Sequence, residues 1–96
     1  MDVQIRWLAR ALYNLRDVSE YIAEENPDAA RQLVARVEDS VALLEDQPAL
    51  GRPGRVPGTR ELIIPNTPFI VPYRLREGRI DILRVFHASR RWPAHF

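Results

Sequence analysis

The chain of 96 residues contains no cysteine and no lysine. Without thiols there is no disulfide framework, no thiolate metal site and no cysteine nucleophile. Without lysine there is no flexible ammonium to act as a general acid, and all fourteen basic residues are arginine. Long hydrophobic runs are also missing, so a transmembrane helix is excluded. The opening Met1, Asp2, Val3, Gln4, Ile5 and Arg6 lack the basic and apolar regions of a signal peptide, so a cytoplasmic location is expected. The four glycines, Gly51, Gly54, Gly58 and Gly78, fit neither nucleotide-binding fingerprint. His87 and His95 are the only histidines, which leaves no metal constellation and no implied cofactor.

What is present is polarised. The net charge of +1 conceals two unlike halves. Residues 1–46 carry five arginines against ten acids, a balance of −5, and residues 47–96 carry nine against three, a balance of +6. A positive field therefore sits on one structural unit.

The hydrophobic period predicts that unit. Residues 3–7 alternate apolar and polar, as a half-buried strand does. Leu8, Ala11, Leu12, Leu15, Val18 and Ile22 then fall at helical spacing. Asn26 and Pro27 close this helix and open a second, with Asp28 at its positive end. Ala30, Leu33, Val34, Val37, Val41 and Leu44 form the second apolar stripe, and the short joint makes an antiparallel hairpin. Residues 47–58 hold three prolines and three glycines and read as a loop that neither continues a helix nor pairs as a strand.

Three strands follow, over 59–64, 69–75 and 80–87, the last two joined at Glu77 and Gly78. The expected architecture is a single α+β domain, a helical hairpin on one face of a small antiparallel sheet. Pro72 conflicts with a central strand and is read as a bulge or a non-hydrogen-bonded position.

Alternation along these strands puts Arg60, Arg74 and Arg84 together on the face the helices leave open, with Arg90 and Arg91 just beyond. A single arginine there reads as a solvated residue or an ion-pair partner, Glu61 being one candidate acid. The cluster as a whole reads as a surface for an anion, since planar guanidinium binds phosphate or carboxylate in pairs of hydrogen bonds. Imidazole as a side-chain type suits acid–base chemistry, which makes His87 a candidate, although a lone strand-end histidine is more often structural. Trp7 and Trp92 read chiefly as packing.

With these residues in order, the chain resembles the RelE/ParE superfamily of type II toxin–antitoxin toxins, and within it the ParE branch. The resemblance spans almost the whole length. It runs through Ala11, Leu12, Leu15, Tyr21 and Ile22, the Asn26–Pro27 joint, Gly51 and Arg52, and Thr59 to Leu62. The most specific parts are Pro68 to Arg74 and Ile82 to His87, followed by Arg90, Trp92 and Pro93.

It implies a small stress toxin, held in a hetero-oligomer by a cognate ParD-like antitoxin with a ribbon-helix-helix DNA-binding part. ParE-like members inhibit DNA gyrase without hydrolysis, whereas RelE-like members cut mRNA on the ribosome. The nuclease branch usually carries arginine where this chain has Phe69, so the gyrase reading is preferred and no catalytic residue is assigned. The ribonuclease alternative would use Arg60, Arg84, His87 and Arg90. Contacts to target or antitoxin are expected from Arg60, Arg74, Arg84, Arg90, Arg91 and Trp92.

Overall fold

The computed structural model describes residues 3–96. Met1 and Asp2, the start of the segment expected to carry no signal peptide, lie outside the described residues. In chain order the elements are β1 (Gln4–Trp7), α1 (Ala9–Ala23), α2 (Pro27–Ala42), a 3-10 turn at Leu43–Glu45, β2 (Arg52–Pro53), β3 (Arg60–Ile63), β4 (Phe69–Arg76), β5 (Arg79–Ile82) and β6 (Phe86–His87).

The joint between the helices forms as its sequence dictates. The Asn26 side chain accepts the Ala29 N–H at 3.1 Å, Pro27 takes the first helical position, and Asp28 lies in the first turn. The two helices face the sheet with Ala11 and Leu15 from α1 and Leu33, Val37 and Val41 from α2. These meet Leu62 and Ile64, then Val71 and Tyr73, then Ile80 and Ile82 from the sheet. Leu12, expected in the apolar stripe, is 52% exposed, because Ala11 and Leu15 already define the inward line.

The sheet runs β1-β5-β4-β3-β2, and β6 pairs with the start of β4. It is mixed rather than wholly antiparallel, since β1 lies parallel to β5 with Ile5 beside Ile80 and Trp7 beside Ile82. The first strand thus extends the sheet and adds its apolar side chains to the helix-facing layer. The expected loop also contributes a short strand. Arg52 and Pro53 pair with Glu61 and Arg60 at the sheet edge, where a proline without an N–H is tolerated. The β4–β5 turn has positive φ at both Glu77 (52°) and Gly78 (74°), as a tight hairpin of this twist requires.

The segment 80–87, expected as one strand, is two. Tyr73 pairs with Ile82 but Ile70 pairs with Phe86, so two residues of β4 face three on the other side. This is a bulge at Leu83, Arg84 and Val85. Pro72 stands opposite it: its carbonyl accepts the Leu83 N–H at 3.0 Å, so its own missing N–H points at the bulge rather than at β3. The Val85 N–H, displaced from the ladder, donates to Asn14 Oδ1 on α1 at 3.3 Å. Proline in the central strand is therefore accommodated by an irregularity in its neighbour.

Tyr73 ties the loop to the sheet. It is fully buried, and its hydroxyl accepts the Gly51 N–H at 2.9 Å and donates to the Pro48 carbonyl at 2.8 Å. Burial pushes its pKa up, against the opposing pull of the Gly51 N–H and the Arg60 charge. Gly51 has no room for a side chain, because an added Cβ would lie 2.7 Å from the Tyr73 ring. Tyr73→Phe orphans both loop groups and is expected to lower stability by about 2 kcal/mol in urea unfolding, with an unchanged far-UV spectrum. An unfolding midpoint equal to that of the parent would show that the hydroxyl does not hold the loop.

Candidate functional site

Register assigns each strand residue to a face. Arg60 pairs with Tyr73, and Tyr73 with Ile82, so all three point to the helical side. Arg60 is therefore not on the open face as alternation from sequence had placed it. Its guanidinium caps the loop, donating to the Gly51 carbonyl at 2.7 Å and the Ala49 carbonyl at 3.4 Å. His87 pairs with Phe69, a core residue, and meets its ring edge-on at 5.5 Å. Its Nδ1 is held by the Ser89 backbone and hydroxyl at 3.1 and 2.8 Å.

The opposite face carries Arg74, opposite Asp81, and Arg76, opposite Arg79. Asp81 is occupied by Arg6 at 3.1 Å and Arg79 at 3.3 Å. The bulge releases Arg84 from strand alternation, and it joins Arg10 and Arg74 around a cavity of about 380 Å³. Arg10 stands in the first turn of α1, which has no side-chain cap and no acid. Burial, and then the charges of Arg10 and Arg90, depress the pKa of Arg84 below the ordinary arginine range. Among the described residues no ion pair involves Arg10, Arg74, Arg84 or Arg90.

The residues after β6 fold back over this face instead of leaving it bare. Phe86 is buried, with Trp92 edge-on at 5.0 Å and Phe96 stacked at 6.3 Å. Arg90 lies over the Phe86 ring at 4.6 Å, and Arg55 covers Trp92 at 3.9 Å. Trp92 Nε1 is buried without a hydrogen-bond partner, so ring contacts seat the indole, while the Ala88 N–H donates to the Pro68 carbonyl at 2.7 Å where the tail begins. Arg91 is exposed beside Trp92 and Pro93, where it lines a neighbouring hollow with Arg84 and Arg90.

Glu61, the candidate ion-pair acid of the sequence, is the anchor of this arrangement, with partners and burial that the sequence did not show. Glu61 is only 2% exposed and pairs not with Arg60 but with Arg52 at 2.9 Å and Arg55 at 3.1 Å. It also accepts the Arg55 N–H at 2.8 Å. An acid in a short apolar strand preceded by loop arginines was the available signal; strand alternation alone did not identify which arginines would reach it.

The expected set thus divides. Arg74, Arg84, Arg90, Arg91 and Trp92 belong to the outer face and its tail, while Arg60 and the Phe69–His87 pair belong to the helical side. No group of three or more metal-ligating side chains occurs among the described residues. No helix there is long and apolar enough to cross a membrane.

A helical hairpin on a mixed sheet, with an arginine-rich outer face under an aromatic tail, defines a small α+β domain. Residues 5–92 match the family described as ParE toxin of type II toxin-antitoxin system, parDE, and the chain belongs to that family. It is 46% identical over 90 residues to the putative toxin Y4kP of Sinorhizobium fredii, covering 94% of this chain and 93% of that one. It is 29% identical over 87 residues to toxin RelE2 of Caulobacter vibrioides, covering 91% and 97%. The fold superposes with a TM-score of 0.81 on a chain of the chromosomal ParDE system from P. aeruginosa, at 27% identity, over 88% of this chain and 95% of that one.

The buried carboxylate makes stability pH-dependent. Burial alone would raise the pKa of Glu61, but the Arg55 N–H and the Arg55 and Arg52 guanidiniums together hold it below the ordinary 4.5. Its contribution is complete above pH 4.5 and is lost as pH falls through the lower folded value. Glu61→Gln is expected to cost about 3 kcal/mol at neutral pH and to flatten this acid limb in denaturant titrations. An acid limb unchanged in Glu61→Gln would place its origin elsewhere.

Proposed function

We propose that this toxin acts by binding DNA gyrase, without hydrolysis of its own, and is neutralised by a cognate ParD-like antitoxin in the cytoplasm. The observation that carries this reading is the division of the arginines and histidine. An endoribonuclease must converge an acid–base group and phosphate-binding cations on one phosphodiester. Here Arg60 is engaged with loop carbonyls and His87 pairs with buried Phe69, on the side away from Arg74. Phe69, where the nuclease branch carries arginine, is 8% exposed and part of the core.

The antitoxin reading draws on a second surface. Leu43, Leu50 and Ile63 are half exposed and line a mainly apolar groove with Pro65, bordered by Arg52. An amphipathic segment with acidic flanks fits such a groove, its apolar face seated and its charges facing arginine. The ribbon-helix-helix part of that partner rests on the family resemblance alone.

Purified gyrase supplies the test. Supercoiling of a relaxed plasmid is expected to fall, and linear DNA to accumulate after protein digestion, when this protein is added. Addition of the antitoxin is expected to restore supercoiling. Undiminished supercoiling and no trapped cleavage complex, with a protein that still arrests growth, would overturn the gyrase reading.

A further inference from the structure

The cavity formed by the bulge and the start of α1 has no role in the reading above. Arg10 enters it from a helix, Arg74 from β4 and Arg84 from the bulge, with Leu8, Leu83 and Phe96 completing the wall. Arg84 also lines the adjoining hollow with Arg90, so the two spaces share a cationic wall. Asp81, opposite Arg74 in the sheet, already holds Arg6 and Arg79. Mutual repulsion of these guanidiniums disfavours the empty arrangement; the depressed pKa of Arg84 comes first from burial and then from the charges of Arg10 and Arg90.

We propose that this cavity is a phosphate-binding site, accepting the phosphate of a nucleotide or of a nucleic-acid backbone. Guanidinium forks reach it from three elements and therefore from different directions. A planar carboxylate satisfies one fork well, whereas a tetrahedral phosphate presents oxygens in several planes and carries more charge. The positive end of α1 opens onto the same space and adds to this preference without being needed for it. Phe96 in the wall offers an apolar surface beside the anion, suited to the sugar or base of a nucleotide. The site takes its ligand whichever macromolecule the toxin attacks, so failure of the gyrase assay would leave it standing.

The test is calorimetric titration and thermal unfolding of the full chain with sodium phosphate, against sodium chloride at matched ionic strength. Adenosine monophosphate and a short single-stranded oligothymidylate serve as further probes. Phosphate is expected to raise the melting temperature beyond chloride, and Arg84→Gln or Arg10→Gln to weaken its binding about tenfold or more. Arg36→Gln, an exposed change on α2, is expected to leave binding intact. Without phosphate at low salt, Arg10→Gln should melt no lower than the parent, because it relieves repulsion; a merely structural arginine would melt lower. Since Arg10 is exposed, that variant keeps the test valid even if Arg84→Gln misfolds.

Tighter binding of the oligothymidylate than of the mononucleotide identifies a backbone phosphate; the reverse identifies a free or terminal one. A phosphate effect no larger than that of chloride, or equal losses in Arg10→Gln and Arg36→Gln, overturns the site.

Discussion

The bulge opposite Pro72 determines the layout of this molecule. A proline in the central strand removes one ladder donor, and the neighbouring strand responds with an extra residue. Asn14 takes the freed Val85 N–H, which joins the start of the helical layer to the irregularity in the sheet. Beyond the bulge the strand resumes in opposite phase: Ile82 faces the helices, and Phe86 faces the other way to hold the tail. Arg84, between them, lies over the Phe86 ring at 5.8 Å and also meets Arg10 around the cavity.

Two polar anchors complete the frame. Tyr73 fixes the loop through Gly51 and Pro48 on the helical side. Glu61 fixes Arg52 and Arg55 on the other, and Arg55 in turn covers Trp92. Loop, sheet and tail are thereby linked through one carboxylate, although each ring contact in the chain is individually modest. The outer arginines not drawn into these links remain available to an anion.

Much of this was legible from the chain itself. The Asn26–Pro27 joint, the helical stripes and the hairpin at Glu77 and Gly78 are local, each set by chemistry within a few residues. The sheet residues were identified, but their faces were not, because one bulged residue inverts alternation for everything after it. Ile82 and Phe86, four residues apart, therefore point to opposite faces. Arg60 went astray differently: its face depends on cross-strand register with Tyr73, a long-range pairing that no local pattern encodes. The parallel pairing of β1 with β5, and the choice of Arg52 and Arg55 as partners for Glu61, are tertiary in the same sense.

A surface that binds anions without cutting them is the claim on which the account rests. Translating ribosomes incubated with the purified protein, followed by mapping of mRNA 5′ ends, test it most directly. The account predicts the same ends with and without the protein. New ends at codon positions that vanish in His87→Ala or Arg84→Ala would contradict it.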